Sequence, residues 1–188
     1  IYDEPGILVT LESRPHEIRN EALRFGWDFH QLETENKLVM IDAASNKAGL
    51  PTFERHALRR GFDIAALAEE IYAAINELGA RRFVLDSITG LDLRFADPVE
   101  IRSAVYRISA LLRELGVTSL LIGELNGPNI RGHLGMEQYV TQGLIVLELE
   151  EVDNQLVRSL LIWKMRQTSH SLRRHRFVID DEGIRITS

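Results

Sequence analysis

The sequence contains no cysteine, and this absence removes three kinds of chemistry at once. Disulfide bridges, thiolate zinc sites and cysteine nucleophiles are all excluded. A chain without cysteine suits a reducing compartment, so we expect a cytoplasmic protein. The sequence also lacks any apolar run of the roughly 20 residues that a membrane-spanning helix needs. No basic-then-apolar signal peptide is present either.

Positive charge is in the minority, with 22 Lys and Arg against 28 Asp and Glu and a net charge of −6. This balance disfavours nucleic acid as the main partner, although it leaves room for a local basic patch. The run "RRHR", Arg173–Arg176, is such a patch, but it lacks interleaved aromatic residues for base stacking. The sequence has neither an H-E-x-x-H zinc motif nor a G-x-S-x-G nucleophile elbow.

Apolar strand-like runs alternate with amphipathic helical stretches along most of the chain, and Asp63 is a good N-cap for one of the helices. Two hairpins follow, turning at Asp153-Asn154 and at Asp180–Gly183. We expect one α/β domain over the 188 residues, with a mainly parallel sheet extended by antiparallel strands. The predicted strands are 6–12, 37–43, 82–91 and 117–125, the hairpins are 143–166 and 175–187, and the helices are 15–26, 64–79 and 98–116. Residues 44–62 are predicted to form a loop with one helical turn.

Two carboxylates stand where predicted parallel strands end. Glu12 follows "GILVTL", and Asp86 with Ser87 closes "RFVLD". Ligands bind at the carboxyl edge of an open α/β sheet, so both acids can belong to one site. There, one could orient a metal-bound water while the other accepts a proton. The alternative is that both are solvated acids capping the next helices, and spacing alone leaves the two readings open.

A phosphate-binding loop, G-x-x-x-x-G-K-[ST], normally accompanies such a strand, and the sequence has none. The nearest stretch is "GPNIRGHL", residues 127–134, in which His133 replaces the lysine and Leu134 replaces the hydroxyl residue. Without those groups the stretch cannot neutralise phosphates or hold magnesium, so we expect it to be an ordinary loop at the sheet edge.

The segment "KMRQTSH", Lys164–His170, carries two cations, two hydroxyls and an imidazole after the last long strand. Alternate residues of a strand share a face, so Lys164 and Arg166 are predicted to project together, as polyphosphate binding requires. A charged strand end in water is the alternative.

Together these segments resemble the KaiC family, RecA-like ATPases that include the cyanobacterial clock ATPase and its bacterial and archaeal relatives. The resemblance runs the length of the chain and is closer to the first, ATPase-type domain of the clock protein than to its second. In the family the first core strand and the phosphate loop precede the strand that matches "GILVTL". The resemblance implies a RecA-like fold whose first strand and phosphate loop lie upstream of the residues given. The matching stretches are "PGILVTLESRP", "FGWD", "KLVMIDA", "GFDIAALAEEI", "ARRFVLDSITGL", "KMRQTSHS" and "FVIDDEGI".

The resemblance also implies roles for residues. Glu12 matches the first of two adjacent acids that activate the attacking water, whereas the second acid is Ser13 here, which leaves one candidate base. Asp86 matches the acid that holds magnesium through water, with Ser87 beside it. Gln167 stands where the family usually has glycine, which puts the local backbone in doubt. Residues that match the nucleotide-reaching positions from the neighbouring subunit are Lys164, Met165, Arg166, Thr168, His170 and Asp181.

The function implied is Mg-ATP binding and hydrolysis between subunits of a ring, usually a hexamer, coupled to signalling or timing partners. Without its phosphate loop the 188-residue chain is expected to be inactive by itself. The stretch matching the autophosphorylated Ser-Thr pair of the clock protein is Gln138-Tyr139, so autokinase activity of that kind is not expected. Two alternatives remain: a degenerate oligomerising or partner-binding module, and a RecA-type DNA-binding ATPase.

Overall fold

A computed structural model of the chain describes residues 3–59, 61–91, 95, 97–124 and 137–187. The chain divides into two compact units, Ile1–Pro128 and Asn129–Ser188. Among the described residues no helix is long and apolar enough to cross a membrane. The predicted loop at 127–134 lies outside the described residues.

The first unit contains a sheet whose described strands all run parallel. The strands are β1 (Gly6–Thr10), β2 (Leu38–Asp42), β3 (His56–Ala57), β4 (Arg82–Asp86) and β5 (Thr118–Leu121). The helices are α1 (Pro15–Arg24), α2 (Phe29–Thr34), α3 (Ala44–Lys47), α4 (Ile64–Leu78) and α5 (Pro98–Glu114), and a 3₁₀ turn covers Ile88–Leu91. The strand order is β3-β2-β1-β4-β5, so β1 lies between β2 and β4.

The core of this unit forms where the central strands meet the helices. Val9, Phe83 and Leu85 are fully buried, as are Leu67 and Ile71 of α4. Central strands of a parallel sheet are covered on both faces, which explains why their sequences are nearly continuous apolar runs.

The boundaries of α4 follow from its end residues. The Asp63 carboxylate accepts hydrogen bonds from the backbone N–H groups of Ala65 and Ala66, which have no partners within the helix. Gly79 ends the helix in the left-handed conformation, at φ +65°. The predicted N-cap is therefore confirmed.

Two short elements were not predicted from the sequence. Helix α2 is capped by Asp28, whose side chain accepts a hydrogen bond from the Gln31 N–H. Strand β3 falls in the stretch predicted to be a loop, where α3 supplies the expected helical turn. β3 pairs only through Ile41↔His56 and Asp42↔Ala57, so it is defined by a partner strand rather than by its own sequence.

The second unit contains an antiparallel sheet with the order β6-β7-β8-β9 among its described strands. Its elements are a short helix α6 (Glu137–Val140) and the strands β6 (Gly143–Val152), β7 (Gln155–Met165), β8 (His175–Asp180) and β9 (Gly183–Thr187). Both predicted hairpins are confirmed. Asp153 and Asn154 form the first turn with φ angles of +51° and +59°, the conformation that two-residue hairpin turns favour.

The fold class predicted from the sequence, a parallel sheet with antiparallel hairpins after it, agrees with the five-stranded parallel sheet and the four-stranded antiparallel sheet of the described residues. Within each hairpin the two strands are joined by a short turn, so their pairing is local in sequence. The mixed α/β architecture itself is confirmed.

Candidate functional site

The two carboxylates selected from the sequence lie at the same edge of the parallel sheet. β1 and β4 are adjacent, with Thr10 directly opposite Asp86, and Glu12 follows two residues after Thr10. The Ser87 hydroxyl donates a hydrogen bond to Glu12 Oε2 at 3.1 Å. Ser87 is almost fully buried, whereas Glu12 is exposed. Ser87 follows Asp86 directly in the chain, and its hydroxyl contacts the candidate base Glu12.

The backbone around Glu12 is held from both sides. The Thr10 hydroxyl donates to the Ser13 carbonyl at 2.5 Å, and the Leu11 N–H donates to the Asp86 carbonyl at 2.7 Å. Gly90, in the 3₁₀ turn after Ser87, approaches so closely that a Cβ there would lie 3.1 Å from Glu12 Cγ. Gly90 was not recognised from the sequence, because it lay within the predicted strand 82–91 and nothing local there indicates a neighbour as distant in sequence as Glu12.

Asp86 lies in an environment that disfavours its negative charge. Burial raises the pKa of Asp86, and the nearby charges of Glu12 and Glu21 raise it further. A bound cation would relieve this concentration of negative charge. Magnesium in nucleotide sites takes one or two carboxylates, and phosphate oxygens and water complete its shell. Asp86 and Glu12 therefore fit magnesium, although no cluster of three or more potential metal-binding side chains occurs among the described residues.

A third carboxylate at this edge, Asp42, has a structural role. Its Oδ1 accepts hydrogen bonds from the N–H groups of Ala44 and Ser45, at 3.1 and 2.9 Å, and so fixes the start of α3. Burial would raise the pKa of Asp42, but interactions with Ser45, Thr52 and Ala44 outweigh it and lower the pKa. Asp42 thus remains ionised, and its carboxylate is committed to hydrogen bonds at the start of α3.

In the second unit, Lys164 and Arg166 contact the segment that follows α6. The Lys164 ammonium donates to the Thr141 carbonyl at 2.7 Å. The Arg166 N–H donates to the Gln142 carbonyl at 2.9 Å, and its guanidinium lies 3.4 Å from the Tyr139 carbonyl. Burial, helped by the charge of Arg166, lowers the pKa of Lys164. The two cations reach the same segment, as alternate residues on one face should.

The other candidates in this unit have different surroundings. Thr168 is exposed, and both ring nitrogens of His170 are buried without a hydrogen-bond partner in the described part of the chain. Met165 packs over Gly143, where a Cβ would lie 2.7 Å from its sulfur, so it has a packing role as well. Asp181 is exposed in the β8–β9 turn. The nucleotide-binding roles of these residues stay predictions.

Gln167 stands where the family resemblance implies glycine, and its backbone adopts a conformation that glycine favours. Its φ is +63°, in the left-handed region that side chains other than Gly, Asn and Asp rarely adopt.

Replacing Gln167 by glycine is therefore expected to raise the free energy of unfolding by about 0.5–1 kcal/mol. The left-handed conformation costs a residue with a Cβ roughly 1–2 kcal/mol, and glycine removes this cost. Part of the gain is lost, because glycine gives the unfolded chain more conformational entropy. Chemical denaturation measures the change. The matched control is Asn154→Gly, at φ +59°, where little gain is expected because asparagine tolerates this region. Equal gains at both positions would contradict strain at Gln167.

Comparisons with known proteins bear on the whole chain. The family model described as "ATPase: KaiC" matches residues 1–188. A UPF0273 protein of Methanopyrus kandleri is 38% identical over 185 residues, covering 97% of this chain and 72% of the relative. The circadian clock oscillator protein KaiC of Acaryochloris marina is 33% identical over 188 residues, which are 98% of this chain and 34% of that protein.

The crystal structure of a KaiC-like protein from Pyrococcus horikoshii matches with a TM-score of 0.83 and 36% identity, covering 100% of this chain and 78% of that one. A family model that spans the chain and a structural match at this identity agree with each other and with the RecA-like arrangement. The chain belongs to the KaiC family of ATPase domains.

Proposed function

We propose that Glu12, Ser87 and Asp86 form the hydrolytic part of an ATP site. The observation that carries this proposal is the hydrogen bond from the Ser87 hydroxyl to Glu12 Oε2, next to Asp86 at the carboxyl edge of the sheet. Ligands of open α/β sheets bind at this edge. An exposed carboxylate held in one orientation, beside a second carboxylate that needs a cation, is suited to water activation at a phosphate.

In this proposal each side chain has a distinct task. Glu12 accepts a proton from the attacking water, and it acts alone because Ser13 cannot replace a second acid. Ser87 holds the Glu12 carboxylate through one oxygen and leaves the other oxygen for the water. Asp86 would hold magnesium when the ion is bound. Bound magnesium would supply positive charge to the phosphate oxygens.

The proposal extends to the neighbouring subunit. Lys164 and Arg166 supply positive charge to the phosphates of a nucleotide bound by the next copy, and Thr168 and His170 supply polar contacts, with Met165 and Asp181 at the same junction. His170 supports this reading because its ring nitrogens have no partner in the described part of the chain. The assembly proposed is a cytoplasmic ring, a hexamer in the full-length protein, that is most similar to the first domain of the clock ATPase and acts in signalling or timing.

We also propose that the 188-residue chain alone binds ATP weakly and does not hydrolyse it. Its sequence has no G-x-x-x-x-G-K-[ST] motif, which supplies most of the contacts to the phosphates in this class of protein. Isothermal titration with Mg-ATP and a phosphate-release assay test this expectation. Turnover by the purified 188-residue chain would contradict it.

A second function is favoured by one specific observation, the presence of Ser13 where the family resemblance implies an acid. In that alternative the domain has lost hydrolysis and serves as a nucleotide-dependent oligomerising platform. ATP binding without turnover by the full-length protein supports the platform, whereas turnover supports the enzyme. A strongly salt-dependent DNA shift would instead indicate a DNA-binding ATPase, which the net charge of −6 disfavours.

A further inference from the structure

The segment that joins β7 to β8, residues 166–174, carries the proposed nucleotide contacts Thr168 and His170 in the middle of an irregular stretch. Its first residue is fixed to the connection between α6 and β6, because the Arg166 N–H donates to the Gln142 carbonyl at 2.9 Å. A segment anchored only at its start would have to be ordered when a nucleotide binds. The other end of the segment, at Arg174, is therefore the point of interest.

Arg174 binds two acids of β6, the strand on the far side of β7 from β8. Its guanidinium contacts Glu148 and lies 3.2 Å from Glu150 Oε1, both on β6. The same nitrogen lies 3.4 Å from the hydroxyl of Ser159, a buried residue of β7 that stands directly opposite Glu148. Arg174 thus joins the end of the segment to two strands of the sheet.

The arrangement differs from an ordinary exposed ion pair. Glu148 and Glu150 are alternate residues of β6, so they share a face and repel each other unless a cation lies between them. The planar guanidinium can bind both acids at once, which a lysine ammonium does with less geometric definition. Isolated exposed pairs stabilise little, but a charge that bridges two acids and a buried hydroxyl forms a small network.

A second contact supports the same end of the segment. The Ser171 hydroxyl lies 2.8 Å from His175 Nε2, at the first residue of β8, and the Arg173 N–H donates to that hydroxyl at 3.2 Å. With Gln167 fixed in the left-handed region at the other end, residues 167–171 are held between two defined points.

We propose that Arg174 is a positioning residue for nucleotide binding. Its bridge to Glu148 and Glu150 fixes the segment 167–171, so that Thr168 and His170 are ordered before a nucleotide of the neighbouring subunit arrives. This inference rests on the proposed function. Ordering the segment in advance removes an entropic cost from binding, so the effect falls on nucleotide affinity rather than on the chemical step. In the sequence Arg174 was visible only as part of the basic patch Arg173–Arg176, which gave no sign of this role.

The test uses the full-length natural protein with Arg174→Gln. We expect the KM for ATP to rise about 3- to 10-fold, as the loss of one ordering contact implies, with kcat nearly unchanged. Hydrogen exchange across residues 167–171 is expected to become faster in the nucleotide-free protein, and the melting temperature is expected to stay within the range of a surface substitution.

Two further variants separate positioning from charge. Arg173→Gln removes the same charge one residue away, and because the Arg173 contact named above uses only its backbone N–H, neither KM nor exchange should change. The double variant Arg174→Glu with Glu148→Arg restores one bridge with reversed charges and should recover part of the affinity.

The outcomes distinguish this inference from the proposed function. If Arg174→Gln changes neither KM nor exchange while Glu12→Gln remains inactive, the positioning role is overturned and the ATPase proposal stands. Equal effects of Arg173→Gln and Arg174→Gln on KM and exchange would also overturn it, because the loss of one positive charge would then explain both. If the unsubstituted full-length protein binds no ATP, the proposed function fails and the positioning role fails with it.

Discussion

The variant Glu12→Gln is expected to lose ATP turnover by about 10²–10⁴-fold in the full-length protein while it still binds ATP. Glutamine keeps the size of the side chain and can still accept the hydrogen bond from Ser87, which lies 3.1 Å from Glu12 Oε2. It cannot accept a proton from water. Since Ser13 stands where the family resemblance implies a second acid, no neighbouring carboxylate in sequence can take over this task.

The control for this prediction is Glu21→Gln. Glu21 contributes negative charge at Asp86 but is not one of the residues assigned to the proposed hydrolytic site. We expect near-normal turnover in that variant. Phosphate release under single-turnover conditions and binding of a fluorescent ATP analogue measure the two steps separately. Turnover that survives in Glu12→Gln would mean that the base is a different residue, and loss of binding in that variant would mean that Glu12 mainly supports the fold.

The variant Asp86→Asn is expected to lower the affinity for magnesium during ATP hydrolysis by about 10–100-fold, the range typical of groups that hold a metal through an intervening ligand. The magnesium concentration that gives half-maximal turnover should rise accordingly. The same substitution is expected to stabilise the nucleotide-free protein at neutral pH. These opposite effects arise because the functional form of Asp86 is the ionised form, which its surroundings disfavour.

The sign of the pH dependence follows from the raised pKa of Asp86. The folded state binds a proton there more readily than the unfolded state, so this contribution to stability is complete below the unfolded pKa. It is lost as the pH rises through the folded pKa. At neutral pH the ionised carboxylate therefore costs stability, and asparagine removes that cost. The advantage of Asp86→Asn should disappear in acid, below the ordinary range of aspartate near about pH 3.5–4.

Asp42→Asn is the matched control, because the pKa of Asp42 is shifted in the opposite direction to that of Asp86. The pKa of Asp42 is lowered, so its contribution to stability is present above the unfolded pKa and is lost as the pH falls through the folded pKa. Asp42→Asn should therefore destabilise the protein at neutral pH. Urea denaturation with a chelator present, at neutral and acidic pH, measures both variants. If Asp86→Asn instead destabilises the protein at neutral pH, the folded state stabilises the ionised carboxylate of Asp86, and the prediction is wrong.

Much of the fold was predictable because the relevant signals are local. The Asp63 cap lies within three residues of the N–H groups it binds, and the turn at Asp153-Asn154 needs only its own residues. β3 was not predictable, because its two residues pair only with the end of β2, which lies elsewhere in the sequence. Nor was the pairing of β7 with β8 through Ser159↔Arg176 and Leu160↔His175, since the sequence gives strands but not the identity of their neighbours.

The proximity of Glu12 and Asp86 lies between these cases. Sequence alone determined that both acids end apolar strands, and parallel pairing then brings such ends to one edge. Only the tertiary structure decided which acid the Ser87 hydroxyl binds, that Asp42 is committed to α3, and that Arg174 bridges Glu148 and Glu150. Ser87 and Glu12 are 75 residues apart in the chain, so their contact exists only after β1 and β4 have paired. Strand, cap and turn preferences act over a few residues, whereas hydrogen bonds and charges act between whichever groups the completed fold brings together.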